Sequence, residues 1–255
     1  MTIFQLTDAH IAPESEPTHG IDVRANFLAG LELAREWQPD AFVFSGDLCF
    51  ETGDRSVYEW IKGHLDTLPF PYFVIPGNHD DSAAMTQVFD CQRLSHFLEG
   101  CFTARIGDHE TIFLNTETGF LTENQTAWLD RRLAENVEKL VLIFMHYPPV
   151  RAGVRFMDLN YPMQEASRGA FQEVIFRQSK PVYVFCGHYH AARTVCLKNL
   201  VVHVTPSTYF QIDPRPEGFQ IDHYRPAFRL ITVEKDRVQS AVHYFQGHLA
   251  PDLAA

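Results

Sequence analysis

Apolar residues follow two rhythms along the chain. Phe42 to Phe44, Tyr72 to Ile75, Leu140 to Met145 and Val182 to Phe185 are almost unbroken apolar runs, as expected of strands covered on both faces. Between them, Arg24 to Trp37, Asp54 to Leu68, Ser82 to Phe89, Glu123 to Glu135 and Arg168 to Gln178 carry the helical period. Further strands are predicted at Thr2 to Thr7, Ala41 to Ser45 and Pro181 to Cys186, with a hairpin of Phe102 to Ile106 against Thr111 to Asn115. A long loop follows Met145, and the C-terminal third is mostly β, with segments near 192–197, 200–204, 227–233 and 238–245. This alternation predicts an α/β protein or an α/β/β/α sandwich. No repeat or linker interrupts it, so one domain over 1–255 is expected, with a loose tail from about His248.

Charge narrows the choice of partner. The chain has 32 acidic and 21 basic residues, a net charge of −11, and no Lys/Arg cluster able to track a phosphate backbone. Long nucleic acid is therefore excluded as an expected partner, and a phosphorylated small molecule would need positive charge inside the site, which points to metal ions. The longest apolar run, Leu140 to Met145, is six residues, against about twenty for a membrane span. The N-terminus lacks the basic and apolar regions of a secretory signal and reads as a strand, so a cytoplasmic protein is expected. Five cysteines without a C-x-x-C pair read as buried thiols in a reducing compartment.

In doubly covered sheets, ligands gather beyond the carboxyl ends of the strands. Five predicted strands end there in Asp8-Ala9-His10, Gly46-Asp47, Gly77-Asn78-His79-Asp80, His146 and Gly187-His188-Tyr189-His190. Turn chemistry alone would not place Asp, Asn or His after every one of them. Carboxylate, imidazole and amide donors without thiolate suit Mn, Fe, Zn or Co. Seven of these donors already exceed the needs of one four-coordinate ion, and two ions about 3.5 to 4 Å apart, bridged by one carboxylate, would use all seven.

In this order, D-x-H, G-D, G-N-H-D, H and G-H-x-H resemble the calcineurin-like metallophosphoesterases over nearly the whole chain. Met145-His146-Tyr147-Pro148-Pro149, the stretch to Asp158, and Thr205 to Gln211 resemble bacterial class III cyclic-nucleotide phosphodiesterases and their glycerophosphodiesterase relatives. The resemblance implies a four-layer α/β/β/α metallophosphoesterase sandwich. It implies that Asp8, His10, Asp47 and His190 hold one metal while Asp47, Asn78, His146 and His188 hold the other. His79 would contact the substrate and protonate the leaving alkoxide, Asn78 would stabilise the charge at phosphorus, and a hydroxide bridging the ions would attack.

The expected substrate is a small-molecule phosphodiester, first a 3′,5′-cyclic nucleotide such as cAMP; a glycerophosphodiester, a broad range of phosphodiesters or a phosphomonoester would be served by the same ligands, and a scaffold on a retired enzyme fold is the remaining reading. Relatives imply a homodimer or larger assembly. One departure stands out: Tyr147 occupies the place of a second His common in close relatives, which bears on the surroundings of the ligands. Substrate-pocket positions are expected at Tyr147, Asp158, Tyr189, Thr205 and Ser207, within walls formed by 148–158 and 205–215. The other histidines, His19, His64, His96, His109, His203, His223, His243 and His248, read as surface or core residues, and Phe102, Phe113, Phe171, Phe176 and Phe185 as core.

Overall fold

The computed structural model describes residues 1–14 and 16–250. Its first half runs β1 (Thr2–Leu6), α1 (Val23–Trp37), β2 (Ala41–Ser45), α2 (Arg55–Leu65), β3 (Tyr72–Ile75), α3 (Ser82–Val88), β4 (Ser95–Leu98), β5 (Cys101–Ile106), β6 (His109–Phe113) and α4 (Glu123–Glu135). The second half runs β7 (Val141–Phe144), α5 (Arg155–Asn160), α6 (Glu165–Phe176), β8 (Val182–Cys186), β9 (Arg193–Leu197), β10 (Leu200–Val204), β11 (Gln211–Ile212), β12 (Ile221–His223), β13 (Ala227–Glu234) and β14 (Arg237–Tyr244). Every predicted helix and strand has a counterpart. The elements that sequence periodicity missed, β4, α5, β11 and β12, span only two to six residues, too few positions to establish a period.

Two sheets carry the fold. One has the order β14-β13-β1-β2-β3 and the other β4-β5-β6-β7-β8-β10-β9, while β11 and β12 form a separate two-stranded ladder. Strands β1, β2 and β3 are parallel, as are β6, β7, β8 and β10, so their carboxyl ends share an edge within each sheet. Alternate residues face alternate sides. Ile3, Val43 and Ile75 of the first sheet meet Leu142, Phe144 and Phe185 of the second. The opposite face of the first sheet, with Phe4, Phe42 and Phe44, packs on Phe27 and Leu31 of α1 and Ile61 of α2. That of the second, with Ile143 and Val184, packs on Trp128 and Leu129 of α4 and Phe171 of α6. These are the four layers of an α/β/β/α sandwich.

Register builds a second feature into the centre. Phe102 pairs with Phe113, Phe113 with Phe144, Phe144 with Phe185 and Phe185 with His203, and ring centroids along this ladder lie 4.7 to 5.4 Å apart. Cross-strand aromatic pairs add to the area they bury. His203, expected to be a surface or core residue, terminates this ladder and bonds Thr194 through Nδ1.

Under the shared edge the sheets are joined by buried polar groups. Gln5 Nε2 donates to Ser45 Oγ at 2.8 Å, and Thr205 Oγ1 donates to Gln5 Oε1 at 2.8 Å. Arg229, from β13, donates to Thr205 Oγ1, Ser240 Oγ and the Val204 carbonyl. A guanidinium this deeply buried is tolerated because it is surrounded by acceptors. The chain end departs from the expected loose tail: Asp22 N donates to His248 O, His248 N to Asn26 Oδ1 at 2.7 Å and Ala250 N to Gly20 O. Asn26 is fully buried and needs that partner, while Leu249 packs beside the α1 core; the remainder of the tail lies outside the described residues. Arg229→Ala would strip donors from Thr205, Ser240 and Val204 together. The expected cost is about 3 kcal/mol, measured as a lowered urea midpoint with unchanged slope.

Candidate metal centre

Each donor of the candidate site stands on a loop just past a strand of the two parallel sets. The loops after β1 and β2 continue to pair: Asp8 N donates to Gly46 O at 2.9 Å and His10 N to Asp47 O at 3.0 Å. Asp8, His10, Asp47, His188 and His190 all have φ between 46° and 68°. Left-handed backbone costs an L-residue about 1 kcal/mol or more, so five such residues together mark a place where the surrounding fold overrules local preference. Gly46 is needed for two reasons: its φ is 102°, and a Cβ there would lie 2.3 Å from His146 Nδ1. At Gly187 a Cβ would sit 2.4 Å from Asp8 Oδ2, so the loops after β1 and β8 can approach only because that side chain is missing.

Six buried residues converge in two groups. Ligand-type atoms of Asp8, His10, Asp47 and His190 lie within 4.8 Å of one another, as do those of Asp47, His146 and His188; Asp47 belongs to both. Asn78 is exposed at the adjoining cavity. Hydrogen bonds fix the imidazole tautomers. His10 Nδ1 faces the Phe50 carbonyl at 3.3 Å, His190 Nδ1 the Phe210 carbonyl at 3.0 Å, His188 Nε2 the Tyr161 carbonyl at 2.9 Å and His146 Nδ1 the Ser45 carbonyl at 2.9 Å. A nitrogen facing a carbonyl must carry the proton, which leaves the other nitrogen with a lone pair.

These lone pairs point at one another. His10 Nε2 and His190 Nε2 are 3.1 Å apart. His146 Nε2 lies 3.2 Å from Asp47 Oδ2 and is buried without a hydrogen-bond partner. Facing lone pairs repel unless a proton or a metal cation stands between them, and the all-N/O donor set suits a divalent transition metal. The residues present therefore fit metal binding.

In the metal-free chain a proton takes the cation's place at His146. Burial opposes charge on His146, but Asp47 and Asp8 outweigh it and raise the imidazole to about 9. Burial pushes His10 down to about 4, partly offset by Asp47, and pushes His188 down to about 3, with His146 adding to the shift. For Asp8 and Asp47, burial favours the neutral acid, yet His190 beside Asp8 and His146 beside Asp47 hold both carboxyls low. Asp80, not singled out from sequence, clamps the loops: it accepts from Gly77 N, Leu48 N, Cys49 N and Tyr58 Oη. Burial, with Asp47 nearby, lifts it to about 6.

His10, Asp47, His188 and His190 of these groups line the floor of a cavity of about 860 Å³, bordered also by Asn78, His79, Glu51 and His19, while Asp8 and His146 are buried. His79 donates its backbone N–H to Asp47 Oδ1 at 3.0 Å, and its Nδ1 lies 3.0 Å from the Glu51 carbonyl. The expected walls contribute through Phe156, Met157, Tyr209, Phe210 and Ile212, joined by Tyr161, Phe219, Ile221 and Tyr224.

None of the five expected pocket residues borders this cavity. Tyr147 packs its ring 3.8 Å from that of His188, supporting a donor from behind. Asp158 accepts from Ala152 N and Gly153 N, Tyr189 is buried in the core, Thr205 joins the Gln5 network, and Ser207 Oγ donates to the Asp8 carbonyl. Tyr147 and Tyr189 are next to expected ligands in sequence, and neither borders the cavity. His19, expected to be merely surface or core, lines the cavity, and Cys196 is exposed whereas the other four thiols are buried.

A pH dependence follows for the chelated chain. Histidines depressed in the fold, His10 and His203 at about 4 and His188 at about 3, contribute stability above the unfolded value of about 6.5 that is lost as pH falls toward their folded values. Asp80, raised to about 6, works the other way within this window, while His146, raised to about 9, does so above pH 6.5. Stability of the metal-free protein should therefore fall between pH 6.5 and 4, read from urea midpoints; a midpoint rising over that range would contradict the burial assigned to these imidazoles.

Comparison with known proteins agrees with this arrangement. The model of the calcineurin-like phosphoesterase family matches residues 1–192. A probable cyclic nucleotide phosphodiesterase of Fibrobacter succinogenes is 32% identical over 244 residues, covering 96% of this chain and 94% of the relative. The 3′,5′-cyclic adenosine monophosphate phosphodiesterase CpdA of Escherichia coli K12 is 28% identical, covering 92% and 86%. The glycerophosphodiester phosphodiesterase GpdQ of Enterobacter lignolyticus is also 28% identical, covering 85% and 82%. A dimetal phosphatase from Danio rerio superposes with a TM-score of 0.65 at 12% identity, covering 96% of this chain and 99% of that one, which speaks to the fold. With its strand-end carboxylates and imidazoles gathered on one cavity floor, the chain belongs to the calcineurin-like phosphoesterase family, hydrolases of phosphoric ester bonds.

Proposed function

We propose that this hydrolase cleaves small-molecule phosphodiesters at a two-metal centre, with 3′,5′-cyclic nucleotides such as cAMP as its first substrates. The observation that carries the reading is the pair of donor groups sharing Asp47 on the cavity floor. Asp8, His10, Asp47 and His190 would hold one ion and Asp47, Asn78, His146 and His188 the other, drawn from Fe, Mn, Zn and Co. Such ions, when bound, polarise phosphoryl oxygens and make water nucleophilic near neutral pH.

The chain's own groups do the rest. His79 would give a proton to the departing alkoxide: with Nδ1 committed to the Glu51 carbonyl, Nε2 is the atom left for the substrate. Asn78 offers amide N–H groups to the charge developing on phosphorus. Aromatic walls limit water around the reacting group. Cavity-lining residues include no Lys or Arg, so neutralisation of phosphate falls to the centre itself. One domain accounts for the described residues, because both sheets contribute to one inner core. Unpaired thiols favour the cytoplasm, and no described helix is long and apolar enough to cross a membrane. Glycerophosphodiesters are the second substrate reading, favoured by the similarity to glycerophosphodiesterases.

Two substitutions test the assignment. Asp47→Asn removes the shared negative charge and should lower metal content, by elemental analysis, and reduce turnover of bis-p-nitrophenyl phosphate at least about a hundredfold; two retained ions with near-normal turnover would refute the shared role. His79→Ala should keep its metal while losing about a hundredfold in rate on cAMP and much less on p-nitrophenyl esters, whose leaving group departs unaided. Equal losses on both would assign His79 to substrate positioning instead.

A further inference from the structure

Seven Phe and Tyr residues line the cavity, and four of their rings form a continuous series with His190. From the ligand His190, ring centroids step 4.9 Å to Phe210, 5.8 Å to Phe219, 5.6 Å to Phe156 and 5.5 Å to Tyr161. The far end is open: Phe219 is 53% exposed and Tyr161 52%. Rings left in water at the mouth of a site lose nothing by accepting a ligand and gain by burial against it.

The series is also preformed. Phe210 directly precedes β11 and Phe219 lies in the loop of the β11–β12 hairpin, which is closed by Asp213 N donating to Gln220 O at 2.8 Å. Phe156 lies in α5, and α5 is tied to the same hairpin by Arg155 N donating to Pro214 O at 3.0 Å and by the Arg155–Glu217 ion pair. A wall held in place before binding spends little ordering entropy on it. The lining contains no Lys or Arg, and its carboxylate outside the metal groups, Glu51, comes from the loop after β2.

We propose that this wall is a subsite for the flat, uncharged ring of one ester group, and that Phe210, Phe219 and Phe156 make the enzyme prefer phosphodiesters bearing a nucleobase or aryl group over aliphatic ones. The proposal rests on the phosphodiesterase reading above and adds the residues that choose among diesters. Stacking on a side chain accepts any base with a π-face and loses about tenfold or more when that side chain is truncated. The series begins at a ligand, so a ring stacked along it leaves the phosphate over the metal groups.

The test uses the full metal-loaded chain, with cAMP, glycerophosphoethanolamine and glycerophosphocholine as substrates and adenosine as a ligand without phosphate. The wild type should favour cAMP, and in Phe219→Ala and Phe156→Ala the ratio of kcat/KM for cAMP to that for glycerophosphoethanolamine should fall about tenfold. Adenosine binding, followed by calorimetry, should weaken in parallel, while Phe219→Trp retains both properties. A chain that binds adenosine through these residues but cleaves no diester would remove the phosphodiesterase reading and leave the subsite standing. An unchanged ratio with unchanged adenosine binding would overturn the subsite and leave the reading intact. Preferred hydrolysis of glycerophosphocholine, lost in Phe219→Ala, would also overturn it, since the rings would then be caging a cation.

Discussion

Lone pairs crowded into a buried corner are the constraint on which this structure turns. Asp8, His10, Asp47, His146, His188 and His190 are almost wholly removed from water, and their donor atoms face one another at distances that are unfavourable unless a proton or a metal cation stands between them. Five of these residues also hold left-handed backbone. Only a rigid frame keeps so much repulsion and torsional strain in one place. Parallel strands ending together, glycines that let loops meet and the Gln5–Ser45–Thr205–Arg229 network supply it. Asp80, in the loop after β3, adds the last restraint by accepting from Leu48 N and Cys49 N of the loop after β2 and from Tyr58 Oη of α2.

This division explains what could be read from sequence. Apolar runs covered on both faces announce central strands, and donors placed just after them stand out because turns seldom call for Asp or His in every loop. Register was not legible: nothing in the string Phe102, Phe113, Phe144, Phe185 and His203 says that they form one ladder, since that depends on pairing between strands distant in sequence. The pocket was misjudged for a related reason. Tyr147 and Tyr189 sit beside ligands in the chain, yet neighbouring side chains diverge, so one supports His188 and the other fills the core. Conversely Phe156, Phe210 and Phe219 lie in segments too short and irregular to show a period, and become neighbours only when the hairpin folds over α5.

The same carbonyls and rings serve two ends. Phe50, Tyr161 and Phe210 face the cavity with their side chains, while their carbonyl oxygens hold His10, His188 and His190 in orientation. Side chain and main chain of one residue thus answer to different demands. Under selection, the rings can be exchanged one at a time for other shapes, and a lineage can drift toward new esters without disturbing the reaction centre. Insertions are another matter: a single added residue beside Phe210 or Tyr161 would turn away the oxygen that an imidazole depends on. Such a scaffold should diversify by substitution along these segments while conserving their length.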